Sequence, residues 1–226
     1  TYQRRRHVWT LINGGPGSGI YRSTDAGANW QRVDAGLPAH DMGKIGLAYA
    51  PSAPNVVYAV IETDDEQEGT YRSTDFGASW EKRSSYSAGS PQYYNELIVD
   101  PHNPDRIYAM DTFMQVSEDG GKTWNHVGVE HKHVDEHALW IDPSNTDHLI
   151  TGNDGGVYES WDRGATWRHM NNLPIAQFYR ATPDNAFPFY NVYGGTQDNS
   201  SLGGPSRTTA KHGIASVTLD ALYRGV

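Results

Sequence analysis

The chain has 226 residues, which is enough to bury a sizeable core as one domain. It has no cysteine, which excludes disulfides, zinc–thiolate centres and thiol nucleophiles, and its formal net charge of −9 argues against nucleic acid or an anionic membrane as the main partner. No apolar run of the ~18 residues that a spanning helix needs is found, so no membrane span is predicted.

The first part of the chain combines short apolar segments with glycine-rich turns. Residues 8–12 have the character of a strand, residues 14–19 (Gly-Gly-Pro-Gly-Ser-Gly) that of a loop, and residues 20–23 that of a second strand. The glycines do not indicate a phosphate cradle, because no helical pattern and no Lys-Ser/Thr pair follows them.

The middle of the chain repeats one order of elements. Residues 45–50 and 56–61 are apolar strands on either side of a proline turn, residues 70–73 form a third strand, and a fourth begins at Trp80. Each such unit predicts a four-stranded antiparallel meander of one propeller blade. The complete units are residues 37–86, 87–130 and 131–172, with a partial unit at 1–36 and a partial unit and tail at 173–226.

The turn between the third and fourth strands always has the form Ser-x-Asp-x-Gly-x-x-Trp. Its aspartates follow one another at intervals of 50, 44 and 43 residues, a period typical of propellers or solenoids. Ser and Asp can bond backbone amides, Gly supplies a positive φ, and Trp buries apolar surface between units, so we predict structural roles. These residues are Asp25 and Trp30, Asp75 and Trp80, Asp119 and Trp124, and Asp162 and Trp167.

This motif resembles the Asp box, or BNR repeat, of sialidases, sortilin/Vps10-type propellers and two-propeller xyloglucanases. The resemblance covers about residues 8–200, and the runs at 152–158 and 194–199 look most like sortilin-like or glycosyl-hydrolase-like repeat proteins. It implies an all-β β-propeller of four-stranded antiparallel blades. Because about four to five blades are present, we predict a segment of a larger propeller whose uncovered blades associate; a closed five-bladed ring is the alternative.

The two ends of a meander blade have different roles in this family. The boxes share one end with the turns between strands one and two, and in sialidases and related enzymes the site lies at the other end. Most arginines of this chain lie beside the boxes, so few are expected at the opposite end and no sialidase triad is predicted. The ligand-binding residues predicted at this end are Asn153, Gln197, Asn199, Tyr93, Tyr94, Asn95, Gln177 and Tyr179.

Two carboxylates at the same end could be catalytic. The stretch from Asn153 to Gly156 resembles the Asp-x-Gly-Gly segment that carries a catalytic aspartate in xyloglucanases, and Asp198 occupies the same place in the next unit. Asp154 and Asp198 would form the acid/base pair of a glycosidase if their carboxyl groups lay about 5 to 9.5 Å apart. A turn-forming Asn-Asp-Gly is the structural alternative for Asp154.

A histidine-rich loop precedes the fourth unit. His131, His133, Asp135 and His137 alternate, so in an extended chain they would share one face. Imidazole and carboxylate suit Zn, Ni or Cu, and His133, Asp135 and His137 are the predicted ligands. The alternative is a polar loop that leads into Ala138.

Two functions remain open from these residues. One is a binding module, similar to sortilin, that takes a polypeptide or polysaccharide at the end opposite the boxes. The other is a glycoside hydrolase acting on a β-glucan or xyloglucan through Asp154 and Asp198. Binding is favoured because the carboxylate signals are weak. We expect a secreted or periplasmic protein with no cofactor, whose further partners are the remaining blades of a larger propeller or a second copy, and not nucleic acid or membrane.

Overall fold

A computed structural model describes residues 1–173, 177–197, 199 and 201–207. The described residues form strands, turns and loops in two compact units, residues 1–169 and residues 170–226. Across these ranges no helix is long and apolar enough to cross a membrane. The predicted all-β fold is therefore confirmed.

The first unit is a series of antiparallel sheets in chain order. A two-stranded sheet at the start, which we call the N-terminal hairpin, is followed by a two-stranded blade I and by the four-stranded blades II, III and IV. The hairpin is β1 (Arg4–Arg6) and β2 (Leu11–Asn13), and blade I is β3 (Ile20–Arg22) and β4 (Gln31–Val33). Blade II is β5 (Ile45–Ala50), β6 (Ala53–Ile61), β7 (Gly69–Ser73) and β8 (Glu81–Ser84). Blade III is β9 (Leu97–Val99), β10 (Ile107–Ala109), β11 (Gln115–Ser117) and β12 (Asn125–His126). Blade IV is β13 (Glu136–Ile141), β14 (Leu149–Asn153), β15 (Gly156–Ser160) and β16 (Arg168–His169).

The hydrophobic core lies between successive blades. One cluster joins Ile20 and Val33 of blade I to Ile61 and Trp80 of blade II, and similar clusters join blades II and III and blades III and IV. Strands in the middle of a blade are covered on both faces, which explains why residues 56–61 are apolar without alternation.

Each Asp box closes on itself, and the boxes of blades II to IV also bond a neighbouring segment of the same blade. In all four boxes the serine hydroxyl accepts the glycine N–H at 2.8 Å and donates to the aspartate. The residue after the aspartate and the glycine both have positive φ, which glycine adopts without strain. The Phe76 N–H donates to the carbonyl of Asn55 near the start of β6, and the N–H groups of Gly120 and Arg163 reach the turn between the first two strands of their blades. Boxes and these turns therefore share one end, which we call the box end; the opposite end is the far end.

The box tryptophans behave differently along the chain. Trp80 and Trp167 are buried in the clusters against the preceding blade, and Trp124 stacks on Tyr86 of blade II with ring centroids 4.4 Å apart. Trp30 is 62% exposed, so the prediction that it is a buried anchor is wrong. Its position in blade I has no blade before it within the described residues to pack against.

The start of the chain also differs from prediction. The strand expected at 8–12 begins at Leu11, and it pairs with the arginine run Arg4–Arg6, for which no strand was predicted. Because this short strand is polar and exposed, it lacks the apolar alternation that marks a strand in sequence.

The second unit contains one described antiparallel sheet. Its strands, in spatial order, are β17 (Phe178–Pro183), β18 (Asn191–Thr196) and β19 (Ser201–Pro205). The first two were predicted, whereas the glycine- and proline-containing β19 was not.

Candidate functional site at the far end

The far end of blades III and IV brings together four polar and aromatic side chains. The Tyr94 hydroxyl donates a short hydrogen bond to Asp135, and its ring stacks on the imidazole of His137, with centroids 5.5 Å apart. His137 Nε2 lies 3.0 Å from Asp154 Oδ1. We call these residues, Tyr94, Asp135, His137 and Asp154, the Tyr94–Asp154 cluster; it links the loop before β9 to two loops of blade IV.

Tyr94 holds the cluster together as a proton donor. Burial raises the pKa of its phenol well above the usual value, and the hydrogen bond to Asp135 raises it further. The phenol therefore stays protonated over the physiological pH range and donates to the carboxylate. Its neighbour Tyr93 is 65% exposed, with its ring centroid 6.5 Å from that of Tyr94.

The histidine-rich loop does not form the predicted metal site. His131 and Asp135 have positive φ, so the chain turns at both and the assumed alternation fails. The nearest bonded partner of His133 Nδ1 is the Val134 carbonyl, while Asp135 and His137 are engaged in the cluster. Nowhere in the described ranges are three His, Asp or Glu side chains arranged to hold a metal ion, so the predicted convergence of His133, Asp135 and His137 does not occur.

The Asn-Asp-Gly-Gly turn between β14 and β15 packs against the loop that contains His133. Asn153 Nδ2 donates to the His133 carbonyl at 3.0 Å, and its Oδ1 accepts the Gly155 N–H at 3.0 Å. A Cβ on Gly155 would lie 2.3 Å from the Cβ of His133, so a protein neighbour, not a ligand, requires this glycine. Asn153 is thus a turn residue, as the structural alternative proposed, and it presents Asp154 to His137.

A buried charge pair that was not predicted from the sequence lies next to this turn. Lys132 Nζ lies 2.7 Å from Glu136 Oε1, and Glu136 Oε2 accepts the Thr151 hydroxyl at 2.7 Å. The ammonium also lies 4.5 Å from the centroid of the Trp167 ring. Burial lowers the pKa of Lys132, and Glu136 opposes that shift by favouring the charged form. The pair anchors the loop that carries Asp135 and His137, and only its i,i+4 spacing was visible in the sequence.

Blade II reaches the cluster through a second set of polar contacts that was not predicted. Lys44 Nζ donates to the Tyr94 carbonyl, and Asn95 Nδ2 donates to the Lys44 carbonyl at 3.1 Å. Asn95 is buried and has positive φ, so its amide is used to hold the loop. Of the three predicted residues 93–95, only Tyr93 presents its side chain to solvent.

The remaining predicted residues belong to the second unit. The Gln197 N–H donates to the Gln177 carbonyl at 3.1 Å, and Asn199 Nδ2 donates to the Gln197 carbonyl at 2.9 Å. Tyr179 is exposed on β17. Asp198, the second half of the predicted acid/base pair, lies outside the described residues.

The third box identifies the repeat. Residues 115–126, which run from β11 through the box to β12, match the model of the BNR/Asp-box repeat. The chain therefore contains a BNR/Asp-box repeat within a β-propeller fold. In this Asp-box protein the other three boxes repeat the hydrogen bonds of the matched one.

Solved structures share the blade arrangement. The GH74 enzyme of Niastella koreensis is 19% identical with a TM-score of 0.54, over 83% of this chain and 32% of that one. The GH74 xyloglucanase of Xanthomonas campestris is 18% identical with a TM-score of 0.52, over 91% of this chain and 37% of that one. The Asp-box protein thus spans about a third of these enzymes. No curated protein matches its sequence significantly.

Proposed function

We propose that this Asp-box propeller is a glycan-binding module whose ligand contacts Tyr93 and the Tyr94–Asp154 cluster. The observation that carries the proposal is the exposed Tyr93 ring, whose centroid lies 6.5 Å from that of Tyr94. Tyr94 in turn stacks on the half-exposed His137, which is hydrogen-bonded to Asp154. An aromatic face covers the apolar side of a sugar ring, while an imidazole and a carboxylate can bond its hydroxyl groups. We place the module in a larger secreted or periplasmic protein.

A glycan is favoured over a polypeptide by two considerations. The far end presents single polar groups near an exposed aromatic ring, which suits a sugar ring, whereas an extended peptide is usually bound by an open sheet edge. The similar solved structures include GH74 enzymes, and one of these is named as a xyloglucanase.

Binding is favoured over hydrolysis by the state of the two cluster carboxylates. Asp135 accepts the Tyr94 hydroxyl and Asp154 contacts His137, so both carboxyl groups are engaged by other side chains of the cluster. A glycosidase needs one carboxyl group that carries a proton to the leaving oxygen. Hydrolysis by Asp154 together with Asp198 is the alternative, and the same experiment separates the two.

The test is calorimetric titration with oligosaccharides of xyloglucan and other β-glucans, with reducing sugar measured in the same samples. We expect binding without release of sugar and about a fivefold weaker affinity in Tyr93→Ala, because a stacked aromatic ring contributes on the order of 1 kcal/mol. Tyr49→Ala, which removes an equally exposed tyrosine from β5, is the matched control and should bind as the wild type.

Other outcomes decide against the proposal. If no glycan binds, or if Tyr93→Ala and Asp154→Asn bind as tightly as the wild type, the module hypothesis fails. Release of sugar that Asp154→Asn and Asp198→Asn both abolish would establish the hydrolase instead.

A further inference from the structure

The N-terminal hairpin carries an unusual set of arginines. Arg4, Arg5 and Arg6 are all exposed, and none forms an ion pair or side-chain hydrogen bond with any described residue. Arginines near the boxes are used differently: Arg72 pairs with Asp105 and Arg163 with Asp147, at 2.9 and 2.8 Å. The hairpin charges are therefore available to a partner, whereas those of Arg72 and Arg163 are paired within the protein.

The hairpin is attached at the far end, where the sequence predicted few arginines. Asn13 Nδ2, at the end of β2, donates to Glu62 Oε1 at 3.2 Å, and Glu62 Oε2 accepts the Lys44 N–H at 2.8 Å. The Lys44 ammonium in turn bonds the Tyr94 carbonyl. Three hydrogen bonds thus connect the base of the hairpin to the Tyr94–Asp154 cluster.

The tip of the hairpin adds aromatic surface to this charge. Trp9 is 82% exposed and stacks on His7 with centroids 5.5 Å apart, and Val8 beside it is almost entirely exposed. Residues 4–13 contain three arginines and no acidic residue, in a protein whose net charge is −9. Arginine presents a planar set of donors that fits carboxylate or sulfate groups, and an indole face stacks on sugar rings.

We propose that the N-terminal hairpin binds the acidic groups of an anionic glycan, one that bears carboxylate or sulfate, whose chain continues to the Tyr94–Asp154 cluster. This rests on the proposed function and specifies the class of its ligand. A single glycan chain can contact only the hairpin and the cluster. A membrane or a duplex would bring an extended anionic surface against a protein that is acidic elsewhere, at a Coulomb cost.

The test compares polygalacturonate, dextran sulfate and neutral xyloglucan as probes for the full chain. The variant is Arg4→Gln/Arg5→Gln/Arg6→Gln, and the matched control is Arg22→Gln/Lys122→Gln/Arg163→Gln, which removes the same charge from the box end. We expect the hairpin variant to bind at least one anionic probe about tenfold more weakly, because exposed ion pairs are individually weak and three act together. The control should stay within about twofold of the wild type, since its lost charge acts at long range and is screened.

The two anionic probes show whether carboxylate or sulfate is preferred, and neutral xyloglucan reports on the cluster alone. The hairpin variant should bind xyloglucan as the wild type does, while Tyr93→Ala should weaken it. Loss of the anionic probe in the hairpin variant but not in Tyr93→Ala would support the hairpin site and contradict the proposed function. Equal loss in both triple variants, or binding of duplex DNA or phosphatidylserine vesicles more tightly than either polysaccharide, would overturn the inference.

Discussion

The aspartates of the boxes are fixed by very local hydrogen bonds. The side chain of Asn29, its backbone N–H and the Ser23 hydroxyl together lower the pKa of Asp25 from 3.8 to about 2. Ser79 and Ser73 lower that of Asp75 in the same way. Each box therefore prefers the charged carboxylate, as expected for a turn that uses it as an acceptor of several hydrogen bonds.

These boxes should make the fold sensitive to acid. Because the folded pKa of Asp25 is below its unfolded value, its contribution to stability is complete above about pH 4 and is lost as the pH falls towards about 2. We expect the urea midpoint to fall less steeply over this window in Asp25→Asn than in the wild type. Asp41→Asn, which alters an exposed aspartate without a bonded partner in the described ranges, is the control. Equal slopes for wild type and Asp25→Asn would contradict the assignment.

The role of a single residue could be predicted where its contacts lie close to it in the sequence. The roles of Ser23, Asp25 and Gly27 could be predicted because all their bonds fall within one eight-residue motif. The roles of Asp135 and His137 could not, because positive φ at non-glycine residues and a partner such as Tyr94, 41 residues away, leave no sequence pattern.

The contacts between blades set the stability of the individual elements. Trp80 is 7% exposed in the cluster between blades I and II, whereas Trp30 holds the same position in its box but is 62% exposed. The same substitution at these two positions therefore measures how much the interface between blades contributes to the free energy of unfolding.

We expect Trp80→Ala to lower the free energy of unfolding by about 3–5 kcal/mol, through lost burial and the cavity that remains. Trp30→Ala should change it by less than about 1 kcal/mol, as is usual for exposed positions. Urea unfolding followed by far-UV circular dichroism measures both. Losses of similar size would show that burial against the preceding blade does not set the contribution of the tryptophan.

Whole elements were predictable where a period existed. Blades II to IV followed from the repeated order of apolar strands and boxes, since apolar residues of these strands form the core clusters between successive blades. Strands β1 and β19 were not predicted, because an exposed arginine run and a Gly-Gly-Pro segment carry neither apolar alternation nor strand propensity.

The first unit as a whole leaves one apolar face open to solvent. A groove of about 600 Å³ lies beside blade I and the first strand of blade II, and its lining includes Trp30, Tyr21 and Leu47. Tyr49 continues the exposed face along β5. An apolar surface of this kind favours self-association, as the sequence also predicts.

We expect the weight-average mass in sedimentation velocity to rise with protein concentration, and Leu47→Lys to suppress the rise. A lysine at that position would place a charge in the apolar contact. Phe76→Lys, at an exposed position in the second box, is the control and should associate as the wild type does. A mass that stays monomeric at every concentration would show that this face does not mediate self-association.

The hydrogen bonds between the boxes of blades II to IV and the segment that leads into the second strand of the same blade distinguish a constant end of these blades from a variable one. At the box end each blade repeats the same contact, from Phe76, Gly120 or Arg163. At the far end the connection between the second and third strands shrinks from residues 62–68 to 110–114 and then to 154–155. The length of this connection thus varies from blade to blade while the contact at the box end is kept. Such an architecture can acquire new ligands by exchanging far-end loops, or new blades by duplication, while the framework stays unaltered.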